Sequence, residues 1–134
     1  MTSTKFLNVL KKSSASTESF IASASDETTA LTTGTDKVQF RMPYAFTLSS
    51  VRCNVNTAPT GSTIIVDINQ NGTSILSTKL TIDTTEKTST TAVIPAVIST
   101  SALTDDSIIS VDIDQIGSTI AGAGLKIELI GTQT

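Results

Sequence analysis

One stretch of the chain places side-chain oxygens at a spacing typical of calcium-binding loops. Asp67, Asn69 and Asn71 lie two positions apart and Gly72 follows them, as at the start of an EF-hand loop, where alternate ligands precede an obligatory glycine. The twelfth position of such a loop supplies a bidentate glutamate, but Thr78 occupies it here. Because the closing ligand is missing, the sequence predicts no metal site in this loop.

The same stretch occurs a second time, which favours a structural explanation. Residues 64–75 read IIVDINQNGTSI, residues 109–120 read ISVDIDQIGSTI, and the two align without gaps. Ile116 stands at the third ligand position of the second copy, so a calcium loop fails there as well. In both copies apolar residues alternate with polar ones, as in a strand that buries one face. We therefore interpret the repeat as one strand-and-turn unit used twice, with its Asp and Asn side chains on the solvated face.

Other catalytic chemistry has few residues to draw on. The sequence contains no histidine and one cysteine, Cys53, so the usual general base, the commonest zinc ligand and an intrachain disulfide are excluded. Cys53 lies in an alternating apolar stretch and is predicted to be buried and unreactive. The carboxylate pairs at 105–106 and 112–114 have the residue types of a glycosidase, but they lie in a polar turn and on a solvated face. We predict no enzyme activity, no catalytic residue and no cofactor.

Composition limits the partners. The 134 residues carry a net charge of −3, which provides no general positive surface for nucleic acid. No apolar run is long enough to cross a bilayer. The pair Lys11-Lys12 follows the short N-terminal apolar run instead of preceding it, so no secretory signal is expected. We predict neither a nucleic-acid partner nor a membrane partner.

From Asp36 onward, apolar residues recur at every second position in short stretches that turn residues separate. Seven or eight such stretches, and no convincing amphipathic helix, predict an all-β fold. The regular spacing favours an antiparallel β-sandwich, jelly-roll-like, over residues 34–134. Pro43 is expected to end a strand, the slip in alternation at residues 49–50 predicts a β-bulge, and Pro95 interrupts a further extended segment.

Glycines mark the predicted turns. Asn71-Gly72 is a strong hairpin signal, but a two-residue turn would place Val66 opposite a serine. A three-residue loop over 70–72, with Gly72 left-handed and bulged, places Val66 opposite Leu76 and is the turn that we predict. The turn residues predicted for the two copies of the repeat are Asn71, Gly72, Gly117, Gly122 and Gly124.

Residues 1–33 differ from the rest of the chain and are predicted to form an extended N-terminal arm. They are rich in small polar residues and show no period that would bury them in a sandwich. Their few large apolar side chains, and the lysines that precede the first acidic residue, are predicted to bind a partner. These residues are Lys5, Phe6, Leu7, Val9, Leu10, Lys11, Lys12, Phe20 and Ile21.

Four motifs, in this order along the chain, carry a resemblance to a known module. They are FRMP at 40–43, APTGS at 58–62, DINQNG at 67–72 and GAGL at 122–125. Over residues 40–132 the chain resembles a β-sandwich module of virion proteins in tailed bacteriophages. Similar modules belong to capsid decoration (cement) proteins and to head or tail fibres.

The resemblance implies a structural role on the phage particle. The chain has a sandwich and a short arm but no elongated shaft, which favours a cement protein over a fibre. Proteins of this sort are usually trimers, so we expect a homotrimer that is made in the host cytoplasm and binds the major capsid protein on the outer surface of the head. The arm and one sandwich edge would bridge neighbouring capsid subunits. A fibre-tip, receptor-binding or glycan-binding sandwich module is the alternative.

Overall fold

The computed structural model describes residues 16–134, which form an all-β fold of antiparallel sheets. The strands are β1 (Glu18–Ser23), β2 (Gly34–Arg41), β3 (Phe46–Asn54), β4 (Ile64–Gln70), β5 (Thr73–Ser74), β6 (Leu76–Thr78), β7 (Leu80–Ile82), β8 (Val97–Ile98), β9 (Ala102–Leu103), β10 (Ile108–Gln115) and β11 (Lys126–Gln133). A 3-10 turn, Ser89–Thr91, lies between β7 and β8. The predicted all-β antiparallel fold is confirmed, whereas its jelly-roll connectivity stays a prediction.

Two larger sheets enclose the core. The first has the strand order β1-β11-β3-β9, and the second has the order β2-β10-β4-β5, with β7 also pairing with β4. β6 and β8 form a separate pair. Alternate residues of each long strand point inward, so the inner faces of the two larger sheets share one apolar core. Its largest fully buried side chains are Met42, Phe46, Ile64, Ile68, Ile75, Leu80, Ile82, Leu103, Ile109, Ile113, Leu125 and Leu129.

Two irregularities that the sequence predicts are present in the strands. β2 ends just before Pro43, which lacks the amide that a continued ladder would need. In β3 the pairing with β11 shifts between Ser50 and Leu48, so Ser49 is skipped in the register, although its hydroxyl donates a hydrogen bond to the Ile130 carbonyl of β11. The predicted β-bulge is therefore confirmed.

The two copies of the repeated stretch lie side by side. β4 and β10 are antiparallel neighbours, and Asp67 pairs with Asp112, its equivalent in the other copy. The next inward-facing pair is Val66 with Ile113, and both side chains are buried. An approximate local two-fold axis between the two strands thus relates the copies, and both copies are strands, as predicted.

The turn after β4 differs from the predicted three-residue loop. Gln70 pairs with Thr73, and Asn71 and Gly72 have positive φ values of 50° and 83°, as a two-residue type I′ turn requires. The left-handed conformation of Gly72 is confirmed, but the bulged loop is wrong. The other predicted turn glycines, Gly117, Gly122 and Gly124, lie in the connection between β10 and β11.

A two-residue turn is expected to place Val66 opposite a serine, but the chain avoids this register by leaving β4 after the turn. After β5 the chain leaves β4, and β6 pairs with β8 instead. The chain then returns as β7, where Leu80 pairs with Val66 and Ile82 pairs with Ile64. The apolar row on the inner face is therefore kept without a bulge in the turn.

The sequence places residues 1–33 in an arm, but the structure places β1 in the first sheet. β1 pairs with β11 along its whole length. Phe20 packs against the core, and Leu31 is buried within it. The sandwich therefore begins at Glu18 instead of residue 34, because ESFIAS alternates in burial although small and polar residues hide the pattern. Residues 1–15, with the predicted contacts of Lys5 to Lys12, lie outside the described part of the chain.

Candidate binding surfaces

The outer face of the second sheet holds the carboxylates whose spacing resembles a calcium loop. Asp67 Oδ1 accepts hydrogen bonds from the Ser74 hydroxyl at 2.6 Å and from the Ile68 amide at 2.9 Å. Asp112 Oδ2 accepts one from Asn69 Nδ2 at 3.0 Å. Asp67 and Asn69 are only 6% and 7% exposed. The prediction that they lie on a solvated face is wrong, because partners from neighbouring strands cover them.

Lys79 supplies a positive charge to this cluster. Its Nζ lies 2.5 Å from Asp114 Oδ2 and 3.9 Å from Asp67 Oδ2. The hydrogen bond to Asp114 raises the pKa of Lys79, although partial burial opposes the shift. An ammonium group therefore balances the carboxylates, and the cluster is a structural ion-pair network.

Replacing Lys79 by methionine is expected to destabilise the fold by about 1 kcal/mol. Methionine keeps most of the apolar stem but leaves the buried Asp67 without a nearby cation. Removing one partner of a buried ion pair costs about 3–5 kcal/mol, but the Lys79 side chain is 45% exposed, so solvent screening reduces the loss. Denaturant midpoints at neutral pH measure the difference, and Lys87→Met, at an exposed loop lysine, is the control.

The effect of Lys79→Met should depend on pH. The pKa of Lys79 is raised in the folded protein, so its charged form stabilises the fold fully below the pKa of an unfolded lysine. This contribution is lost as the pH rises through the folded-state pKa. The stability difference between wild type and variant should stay constant near neutral pH and shrink in strongly alkaline solution. A difference that changes between pH 6 and 8 would contradict this pairing.

An aromatic cluster holds β1 to the sandwich. The Phe20 ring meets the Phe46 ring edge-on at a centroid distance of 5.1 Å and lies 5.8 Å from the Tyr44 ring. The Tyr44 hydroxyl donates a hydrogen bond to the Glu18 carboxylate, which raises the pKa of Tyr44. Phe20, which the sequence predicts to bind a partner, thus also anchors β1.

The sandwich is open on one side, between β1 and β2. These are the outer strands of the two larger sheets, and a cleft of about 290 Å³ lies between them. We call it the open cleft; it is lined by Phe20, Ile21, Ala22, Ser23, Val38 and Phe40. Ile21 is 66% exposed. Among residues 16–134 no further strand pairs with β1 or β2, so the open cleft combines unpaired strand edges with exposed apolar surface, as sites of protein association do.

A larger groove of about 450 Å³ lies between β3 and β8, and we call it the β3–β8 groove. Residues 49–52 line one side and residues 95–98 line the other. The adjoining loop is apolar and exposed: Val93 is 86% exposed and Ile94 is 62% exposed. The groove has a mixed lining, in which Ser49, Arg52 and Ser89 lie beside apolar side chains, and the adjoining loop is the more apolar part of this second surface.

The structure describes two of the predicted partner-binding residues, Phe20 and Ile21, and places both at the open cleft. The β3–β8 groove is a site that the sequence does not predict. Its signal is the run AVIPAVI at 92–98, where apolar residues follow one another without alternation. A strand cannot bury both faces of such a run on one core, and only Val97–Ile98 of it form a strand.

Comparisons of the chain with protein-family models, with curated proteins and with solved structures find no match. Within residues 16–134, no group of three or more His, Cys, Asp or Glu side chains is placed to hold a metal ion. In the same part of the chain, no helix is long and apolar enough to cross a membrane. The open cleft and the β3–β8 groove are the candidate binding surfaces among residues 16–134.

Proposed function

We propose that the protein is a capsid decoration (cement) protein of a tailed bacteriophage. It binds the major capsid protein on the outer surface of the head as a homotrimer and bridges neighbouring capsid subunits. The observation that carries the proposal is the open cleft, where exposed Ile21 is among the lining residues and where β1 and β2 have no further strand partner among residues 16–134. The resemblance of residues 40–132 to virion modules supports the choice of partner.

The open cleft is suited to holding a segment of another protein. A free strand edge binds an extended segment through backbone hydrogen bonds, and apolar side chains beside it add burial. The predicted arm residues Lys5 to Lys12 precede β1 in the sequence, and their proposed contacts are with a neighbouring subunit. Lys5, Lys11 and Lys12 add salt-dependent attraction to an acidic surface. Because the contacts of the open cleft with capsid subunits form only on the assembled shell, they stabilise it by mass action.

Ile21→Asp is expected to weaken binding to phage heads that lack this protein by about tenfold or more. Burying an isoleucine side chain contributes about 1.5–3 kcal/mol, and each 1.4 kcal/mol is a factor of about ten in affinity. Sedimentation of heads with labelled full-length protein measures the affinity. Ile120→Asp is the matched control, because Ile120 is also exposed, at 48%, and lies outside the open cleft. Equal affinities of wild type and Ile21→Asp would contradict the assignment of the cleft.

The number of copies per particle separates a cement protein from a fibre module. Cement proteins coat the whole head, so quantitative mass spectrometry of purified particles should find hundreds of copies. A few to a few dozen copies would favour the fibre-tip or receptor-binding alternative. If heads bind neither the wild-type protein nor Ile21→Asp, that result would favour the same alternative.

A further inference from the structure

The β3–β8 groove is bounded on one side by a free strand edge. β9 pairs with β3 only at the first two residues of β3, and farther along, the Cys53 amide donates to Ser89 Oγ at 2.9 Å. Between these points, no strand among residues 16–134 pairs with this side of β3. Successive amides of a strand point to opposite sides, so the Val51 N–H points the same way as that of Cys53, towards the groove.

The other side of the groove is a second strand edge. β8 pairs with β6 on one side, Val97 with Thr78 and Ile98 with Leu76, and no strand among residues 16–134 pairs with its other side. Leu80 and Ala96 also line the groove. Polar side chains, Arg52 and Thr90 among them, line the groove as well. Two strand edges beside such a groove have the form that accepts an added β-strand.

We propose that the β3–β8 groove of one copy binds residues 5–10 of a neighbouring copy as an added strand. This segment reads KFLNVL and carries four large apolar side chains. It precedes β1, which lies two strands away from β3 in the same sheet, a distance of about 10 Å. Seven residues, 11–17, connect this segment to β1 and span at most about 25 Å when extended, which limits how far away the groove of the neighbouring copy lies.

The path to the groove favours a neighbouring copy over the same copy. β1 begins level with Gly131, which pairs with Leu48 near the start of β3. At that end of β3, β9 and the Ser101 carbonyl, which accepts the Leu48 amide at 2.8 Å, cover the strand edge. A segment returning within one copy would have to pass around them, whereas the groove of a second copy is open.

Exchange of this segment would join copies head to tail. Such a contact closes into a ring when the rotation between copies permits it, and a ring of three is the homotrimer of the proposed function. The inference deepens that function by naming the subunit that the arm reaches, and it leaves the open cleft free for the capsid. It nevertheless concerns the protein in solution and is tested without heads.

Two full-length variants test the exchange by complementation. Val97→Asp places a charge in the groove at a side chain that is 49% exposed, and Ala96→Arg fills the groove as a second groove variant should the first not fold. The segment variant carries Phe6→Asp and Val9→Asp, which lie on opposite faces of an extended strand. In sedimentation velocity, wild type should form oligomers, and each variant alone should associate at least tenfold more weakly. An equimolar mixture should form heterodimers, because one variant retains the segment and the other retains the groove.

Val93→Asp is the matched control, since Val93 belongs to the same loop but does not line the groove; it should associate like wild type. Thermal melting establishes that each variant is folded. A monomeric wild type, a folded groove variant that associates normally, or a mixture that stays monomeric would each overturn the proposal. A chain that is monomeric in solution yet coats heads would leave the proposed function intact and remove only this inference.

Discussion

Gly131→Ala is expected to destabilise the fold by about 3 kcal/mol. A Cβ at this position would lie 2.0 Å from the carbonyl oxygen of Thr47, well inside van der Waals contact. That oxygen belongs to the backbone of β3, so the clash is relieved only if β3 and β11 move apart at the centre of the first sheet. Overpacking a core costs about 1–3 kcal/mol, and the loss of strand pairing places this substitution at the upper end of that range.

Gly72→Ala is the matched control for this steric argument. Gly72 has a φ of 83°, and a Cβ there would meet nothing within 4 Å. Its replacement costs only the strain of a left-handed alanine, about 1 kcal/mol. Denaturant midpoints of both variants measure the two costs. If Gly131→Ala is no more destabilising than Gly72→Ala, the close approach of β11 to β3 is wrong.

The period of two predicts most of the strands because burial in a sandwich is local information. Each of β3, β4, β10 and β11 carries its own alternation, and the slip at residues 49–50 marks a bulge that the pairing of β3 with β11 then shows. The repeat likewise predicts two similar strands. That these strands are neighbours, with Asp67 opposite Asp112, depends on topology, which a single strand does not encode.

The features that the sequence predicts incorrectly depend on contacts between distant residues. Asn71-Gly72 forms the two-residue turn that this residue pair favours. The chain can then leave β4 through β6 because β8 pairs with β6. β1 has Phe20 and Ile21 as its only large apolar side chains, and its place in the sheet depends on β11 and on the ring of Phe46. A local pattern does not contain these partners.

Of the two candidate surfaces, the sequence predicts residues of the open cleft but not the β3–β8 groove. Ile21 is predicted from the sequence to bind a partner, and the structure leaves its side chain exposed at the open cleft. The β3–β8 groove is formed by strands that are far apart in the chain, so no stretch of sequence describes its shape. Only the apolar run at 92–98 signals it, through side chains that a strand cannot bury.

In the native protein at pH 8, Cys53 is expected to react with a thiol reagent at least about a thousandfold more slowly than in the unfolded chain. The thiol is fully buried on the inner face of β3, and burial raises the pKa of Cys53 to about 12 from an ordinary 9.0, despite a hydrogen bond with Ser89 that opposes the shift. The thiolate is the reactive form, and a pKa three units higher reduces its fraction about a thousandfold. Absorbance of a disulfide reagent with and without denaturant gives the two rates.

A matched control carries Cys53→Ala together with Arg52→Cys, which moves the thiol by one residue to the exposed face of the same strand. It should react at the rate of the unfolded chain, and rapid labelling of native Cys53 would show that the inner face of β3 is accessible.

The raised pKa of Cys53 also makes the stability of the fold depend on pH. Below about pH 9 the thiol is neutral in both states and its burial stabilises the fold fully. Between about pH 9 and 12 only the unfolded chain ionises, so wild type should lose up to about 1.4 kcal/mol per pH unit relative to Cys53→Ala. If the difference in free energy of unfolding between wild type and Cys53→Ala does not change over this range, Cys53 ionises within the folded protein. That result would contradict a sealed core at β3.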